Sequence, residues 1–156
     1  MERIGFIGLG RMGLPMAANL VRGNYPVYGF DTNKQQLEQA GRLGCTLCSS
    51  LSDVVKTADI VITMLPNSKS VEEVYLSSES GIFQHSKKDI LVMDMSTVSP
   101  ATTDVLAAEA AARQIEFLDA PVGRLASHAD AGKSLFMVGG SETGFKRVEP
   151  MLALMG

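Results

Sequence analysis

The chain of 156 residues has two cysteines, two histidines, no run of basic residues and no long apolar stretch. Each scarcity removes a class of function. Two cysteines make no disulfide framework of the kind that staples a small secreted scaffold. Cys45 and Cys48 form a CxxC, but a second Cys or His pair is missing and His85 and His128 stand alone, so the spacing of a metal site is incomplete and no metal is expected. The two thiols flank Thr46-Leu47 in an expected short strand, where positions i and i+3 point to opposite faces, and both read as structural. Fourteen basic residues are scattered among 17 acidic ones, for a net charge of −3, which argues against nucleic acid or another polyanion as partner. No charged leader followed by an apolar run opens the chain, so neither a signal peptide nor a membrane span is expected, and the cytoplasm is the expected compartment. Linkers, low-complexity tracts and short repeats are also lacking, which leaves residues 1–156 as one domain.

What is present is 46% hydrophobic residues, enough for a core without staples, and a regular alternation of strand and helix signals. Ile4, Phe6 and Ile7 make a short apolar strand that runs into Gly8-Leu9-Gly10-Arg11-Met12-Gly13. In such a turn the first glycine permits the tight bend, the second lets backbone approach a pyrophosphate, and the third lets helix pack on strand. Met16, Ala17, Leu20 and Val21 then recur at helical spacing as far as Gly23, with Pro15 tolerated in the first turn. The helix presents its N-terminal amides to the phosphates. Val27, Tyr28 and Phe30 make a second strand ending at Asp31, about 20 residues beyond the glycines, where an acid accepts the ribose hydroxyls and repels a 2′-phosphate. The cofactor expected is NAD.

The alternation continues along the chain. Asn33 is expected to cap a helix over Lys34 to Ala40 that Gly41 stops, and Leu51 to Thr57 to form a short helix. Ile60 to Leu65 and Ile90 to Met95 read as central parallel strands buried on both faces. Ser68 or Ser70 is expected to cap a helix with Val71, Val74 and Tyr75 inward, and Ser99-Pro100 to open a helix reaching Arg113. Phe117-Leu118 leads to Asp119, Ser134 to Val138 forms a further strand, and Ser141 caps a final helix through Leu154. The fold class is α/β, a doubly wound Rossmann-type, mostly parallel sheet with helices on both faces. Ligands of such sheets bind beyond the carboxyl ends of the strands. That singles out Leu65, Pro66 and Asn67 after the fourth strand, and Ser96 and Thr97 after the fifth, whose hydroxyls are placed to reach the nicotinamide ribose. Both stretches are also ordinary turn and helix-start chemistry, and that reading stays open beside the first.

Six motifs, in order, carry a family resemblance: Gly5 to Gly13 with Met16-Ala17-Ala18-Asn19-Leu20, Met64-Leu65-Pro66-Asn67, Asp94-Met95-Ser96-Thr97, Asp119-Ala120-Pro121-Val122 and Met137-Val138-Gly139-Gly140. Over the whole chain it resembles the β-hydroxyacid dehydrogenases, the 3-hydroxyisobutyrate dehydrogenase-like family. The resemblance implies reversible NAD(P)-dependent interconversion of a small β-hydroxy acid and its semialdehyde, with Arg11, Met12, Asp31, Leu65 and Thr97 at cofactor-contact positions. Most of that family continues Asp-x-Pro-Val with Ser-Gly-Gly, whereas this chain has Gly123-Arg124-Leu125. An arginine offers a planar fork of donors and a permanent charge suited to a strongly acidic oxyanion. Pro-Val-Gly-Arg is similar to the sulfolactaldehyde reductase branch, whose substrate carries a sulfonate, although polar positions of that branch are Leu125 and Ala126 here. Gly123 and Arg124 are therefore the expected substrate-binding residues.

The resemblance assigns proton transfer to a lysine in a Gly-x-x-x-Lys-x-x-Asn helix that follows the nucleotide domain, and no such motif occurs up to Gly156. Lys133 lies near the substrate loop in sequence and takes no catalytic role. The helical C-terminal domain that closes the family's substrate cleft and mediates its oligomers is likewise outside this chain. The expectation is a domain that binds NAD and does not turn over alone. Three readings of the whole protein follow: reduction of a sulfonate-bearing aldehyde, a carboxylate-handling enzyme of the 3-hydroxyisobutyrate or tartronate semialdehyde type, and a non-catalytic NAD-binding module.

Overall fold

In the computed structural model, which describes residues 1–123 and 125–156, strands β1 (Ile4–Ile7), β2 (Val27–Phe30), β3 (Thr46–Leu47), β4 (Ile60–Thr63), β5 (Leu91–Asp94) and β6 (Glu116–Asp119) form one parallel sheet. Its order is β3-β2-β1-β4-β5-β6, so the chain reverses direction across the sheet between β1 and β4. Such a reversal opens the crevice in which doubly wound sheets hold ligands. The period of two along each strand divides the core. Ile4, Phe6, Ile60, Ile62, Leu91 and Met93 pack on one face against α1 (Gly13–Arg22) and α8 (Glu142–Met155). Ile7, Val61 and Val92 pack on the other, against α3 (Leu51–Thr57), α4 (Ser68–Leu76), α5 (Ile82–His85) and α6 (Pro100–Ala112). Each such aliphatic side chain, removed from water, contributes about 1.5–3 kcal/mol before ordering costs. The two apolar runs form strands buried on both faces, but shorter than expected: β4 ends at Thr63, leaving Met64 and Leu65 half-buried at the crevice, and β5 covers Leu91–Asp94 rather than Ile90 to Met95.

Local chemistry explains the boundaries. Asn33 caps α2 (Lys34–Arg42) by accepting from the amides of Gln35 and Gln36. Gly41 does not stop this helix; the chain runs to Arg42 and turns at Gly44, whose φ is +101°. The cap of α4 is neither Ser68 nor Ser70 but Asn67, whose Oδ1 accepts from the Ser70 amide at 2.9 Å. Ser50, Ser99 and Ser141 cap α3, α6 and α8. Cys45 packs with the first core face and Cys48 with the second, the opposite-face placement expected of positions i and i+3 around a strand. Burial pushes the Cys45 thiol up to about 11.

The strand expected over Ser134 to Val138 is the largest departure. Only β8 (Leu135–Phe136) forms, and it pairs antiparallel with β7 (Val122–Gly123) in a separate two-stranded sheet. A short helix α7 (Ala126–Asp130) lies between them. The arm is joined to the main sheet by a pair of backbone hydrogen bonds, from the Asp119 amide to the Gly139 carbonyl at 2.9 Å and from the Gly139 amide to the Asp119 carbonyl at 2.7 Å. Antiparallel pairing follows from connectivity, because a strand returning through a short α7 has no room for a parallel crossover.

Candidate dinucleotide site

The three glycines of the opening turn are held by three different constraints. Gly8 has a φ of +95°, and a Cβ there would sit 2.1 Å from the Met64 carbonyl oxygen. At Gly13 a Cβ would meet the Gly8 carbonyl oxygen at 1.9 Å, which measures how closely α1 rests on the end of β1. Nothing lies within 4 Å of a Cβ at Gly10, so its smallness serves space outside the protein. That space is a groove of about 710 Å³ at the carboxyl ends of β1, β2 and β4.

Asp31 closes one end of it. Its Oδ2 accepts from the Leu9 amide inside the glycine turn at 2.7 Å, and its Oδ1 accepts from the Asn33 amide at 2.7 Å. The carboxylate is thus pinned from two sides, half-buried, with lone pairs remaining toward the groove. The floor of the groove is the first turn of α1. Unlike α2, α3, α4, α6 and α8, this helix starts with no side-chain cap, at Met12. Among the described residues the amides of Gly10, Arg11, Met12 and Gly13 have no acceptor. Four unpaired donors at a helix N-terminus, an open approach at Gly10 and a fixed carboxylate at the far strand end match a diphosphate joined to a ribose. The donor set fits a dinucleotide.

Of the residues expected from sequence, Gly8, Gly10, Arg11, Met12, Gly13, Asp31, Leu65 and Pro66 line this groove. Asn67 does not, and its Oδ1 is already used to cap α4. Thr97 is exposed in a second pocket of about 350 Å³ beside Ser96, Asp119 and Pro121, at the ends of β5 and β6. Gly123 lies in β7, and Arg124 falls outside the described residues. Sequence reading missed Ser70, Glu73 and Val74 of α4, which form the groove wall opposite α1. Their spacing of three and four residues, starting just past the cap, is the signal that marks one helix face turned to the crevice.

Ser96 is not free to meet a ribose. It is fully buried, its Oγ accepts from the Leu65 amide at 2.8 Å, and its own amide donates to Asp94 Oδ1 at 3.1 Å. Asp94 Oδ1 also accepts from Thr63 Oγ1 at 2.8 Å, and that hydroxyl lies 2.7 Å from Tyr75 Oη. The chain of bonds ties the loop after β4 to the loop after β5 and so fixes both pockets to one scaffold. Asp94 Oδ2 is buried with no partner, and burial pushes the Asp94 carboxyl above its usual range. Asp119, its register partner on β6, is also raised, by burial first and then by the Asp94 charge. No group of three or more His, Cys, Asp or Glu able to hold a metal occurs among the described residues.

Comparison with known proteins agrees with this geometry. The chain matches, over residues 3–156, the family described as the NAD binding domain of 6-phosphogluconate dehydrogenase. It is 38% identical over 156 residues to the 3-sulfolactaldehyde reductase of Escherichia coli (strain K12), covering 100% of this chain and 52% of that protein. It is 40% identical over 153 residues to the mitochondrial 3-hydroxyisobutyrate dehydrogenase of Rattus norvegicus, covering 98% of this chain and 45% of that protein. The solved Mycobacterium tuberculosis 3-hydroxyisobutyrate dehydrogenase superposes with a TM-score of 0.93 at 35% identity, over 100% of this chain and 52% of that one. The chain spans about half the length of the curated relatives it matches. A glycine turn over an uncapped helix, a carboxylate pinned at the edge of the groove and these matches have one reading: the chain belongs to the NAD-binding domain family of 6-phosphogluconate dehydrogenase and, within it, to the β-hydroxyacid dehydrogenases.

Proposed function

We propose that this chain is the nucleotide-binding part of an NAD(H)-dependent oxidoreductase that moves a hydride between nicotinamide and a small anionic β-hydroxy acid or aldehyde, with a sulfonate as the anion. The observation that carries the nucleotide half is the Asp31 carboxylate, which accepts two hydrogen bonds of 2.7 Å from the Leu9 and Asn33 amides beside the unpaired amides of α1. Those amides and Arg11 take the pyrophosphate, and Asp31 accepts from the ribose hydroxyls and disfavours a 2′-phosphate. Leu65, Pro66 and Met12 cover the adenosine side and Thr97 serves the nicotinamide end, while Asn67 acts through its cap of α4, which presents Ser70 to the groove. When bound, the nicotinamide supplies or accepts the hydride.

The substrate half rests on Gly123-Arg124. Gly123 leaves the loop backbone approachable, and Arg124 brings a fixed fork of donors to an oxyanion. The similarity to 3-sulfolactaldehyde reductase supports a sulfonate. The proton for the nascent alkoxide comes from a lysine of a helical C-terminal domain, which also carries the homo-oligomer contacts. The enzyme works in the cytoplasm, and no helix among the described residues is long and apolar enough to cross a membrane.

A carboxylate-bearing substrate is the second reading, favoured by the 40% identity to 3-hydroxyisobutyrate dehydrogenase and the TM-score of 0.93. Steady-state NADH oxidation by the full-length protein decides between them, with sulfonate- and carboxylate-bearing semialdehydes of equal chain length. The sulfonate reading expects a kcat/KM at least about tenfold higher for the sulfonate, one good charge-assisted contact's worth, and loss of that preference in Arg124→Ser with NADH binding intact. Preference for the carboxylate overturns it. Tight NADH binding with no turnover of either aldehyde identifies a non-catalytic module instead.

A further inference from the structure

Asn19 sits in the middle of α1, on its buried face, with 6% of its surface exposed. A polar side chain in that position must have its groups satisfied. Its Oδ1 accepts from Arg22, one turn on, and its Nδ2 donates to the Ala129 carbonyl of α7 at 2.8 Å, a contact between residues 110 apart in sequence. That carbonyl belongs to the last turn of a short helix, where acceptors lack intrahelical donors. The turn that follows is built around the same point. Gly132 donates to the same carbonyl at 3.1 Å and adopts a φ of +63°; a Cβ there would lie 3.0 Å from the Leu154 carbonyl oxygen of α8 and 3.6 Å from Asn19 Nδ2. Ser134 then donates to the Met155 carbonyl at 3.1 Å and the chain enters β8. The α7 arm thus rests on the helix whose other end forms the floor of the dinucleotide groove.

We infer that Asn19 is a positioning residue, which seats the β7–α7–β8 arm on α1 and so sets the substrate side of the cleft relative to the cofactor. Neither its side chain nor Ala129 touches the groove, so its effect travels through α1 as a rigid rod. The role of the arm as the substrate side rests on the function proposed above; the seating itself does not.

Amide hydrogen exchange on this chain tests the seating in Asn19→Leu, which keeps side-chain bulk and removes both polar groups, and in Gly132→Ala, which disturbs the contact from the arm. Both variants are expected to exchange about tenfold faster at Gly132 and Lys133, the amides that close the α7 turn, as loss of one buried hydrogen bond allows. Exchange at Gly8 and Leu9 and the Kd for NADH are expected to stay unchanged. Unaltered exchange at Gly132 and Lys133, or an equal rise at Gly8 and Leu9, overturns the inference. In the full-length protein Asn19→Leu is expected to raise KM for the aldehyde while KM for NADH and kcat hold, a split that simple loss of stability does not produce. Loosened exchange with an unchanged aldehyde KM leaves the seating in place and overturns the assignment of the arm to the substrate.

Discussion

Replacing Asp31 by asparagine separates the two tasks that one carboxylate performs. In the folded chain both oxygens accept amide hydrogens, from Leu9 and from Asn33, each at 2.7 Å. Asparagine offers one acceptor and one donor, so one of the two amides must face an NH₂ group. An unmet donor at a half-buried site costs about 2 kcal/mol, and a domain of this size then loses about 4–8 °C in Tm. The cofactor term is distinct. A carboxylate and a 2′-phosphate about 4 Å apart repel by about 4 kcal/mol at the effective dielectric of a protein surface, and half of that, for a half-exposed group in physiological salt, is about 2 kcal/mol. Wild type is therefore expected to bind NADH about 30-fold more tightly than NADPH. In Asp31→Asn the preference is expected to collapse toward unity, mainly through tighter NADPH binding once the repulsion is removed. Titration of each nucleotide by fluorescence or calorimetry at fixed ionic strength, with Tm measured alongside, gives both quantities. Equal wild-type affinities for NADH and NADPH would refute the electrostatic reasoning. A preference that survives in the variant would refute the assignment of Asp31 to the ribose.

Two further perturbations follow from the geometry. Gly10→Ala is expected to fold with an unchanged Tm and to lose NADH binding, because its Cβ enters open groove, whereas Gly8→Ala and Gly13→Ala are expected to fail to fold, since each Cβ would lie about 2 Å from a backbone oxygen; thermal scans with NADH titration check this, and NADH binding by Gly10→Ala contradicts it. Asp94→Asn is expected to keep or raise Tm at pH 7.5. Burial raises the folded-state pKa of Asp94 and of Asp119, so their penalty is present above the raised values and disappears as pH falls toward the unfolded value near about 4. The opposite sign applies to Asp59, which Arg3 and Lys87 hold well below the usual carboxylate range: its contribution is present above about pH 4 and lost below. Wild-type Tm should thus rise on acidification toward pH 5 and fall below pH 4, and Asp94→Asn should diminish the rise alone. Severe destabilisation of Asp94→Asn at pH 7.5 would show that the ionised carboxyl is needed.

The parts of this fold that were legible in the sequence are those fixed by local chemistry. Ile60 to Ile62 and Ile90 to Met93 are apolar without interruption, and such segments have few options other than a central parallel strand. Asn33, Ser50, Ser99 and Ser141 cap their helices through side chains two or three residues from the amides they accept. Legibility fails where a contact is long-range. Whether Ser68, Ser70 or Asn67 caps α4 depends on the path of the Pro66 turn, and Gly41 tolerates the helix interior because Leu47 of β3 packs against it. The residues from Ser134 to Val138 alternate like a strand, but their partners are Val122 and Gly123, not the main sheet. The candidate site divides in the same way. The glycines and Asp31 announce themselves by spacing, whereas the wall from α4, the Asp94–Ser96–Leu65 bonds and the Asn19–Ala129 contact join residues that sequence does not bring together.

Substrate choice in this family must rest on few residues. The chain is 38% identical to a 3-sulfolactaldehyde reductase and 40% identical to a 3-hydroxyisobutyrate dehydrogenase, so overall similarity does not separate the two anions. Some positions are fixed by the fold itself, such as Gly8 and Gly13, where a Cβ would lie about 2 Å from a backbone oxygen. Gly123 is different. A Cβ there would meet Leu135 only at ordinary contact distances of 3.7 Å and beyond, so the fold does not require glycine at this position. The arm that carries it is attached to the domain at its base by the Asp119–Gly139 bonds, at α7 by Asn19 and at Ser134 by α8, none of them at Gly123. Position 123 can therefore vary at little cost to the sheet, as the proposed substrate role of this stretch requires, while the cofactor groove is left unchanged.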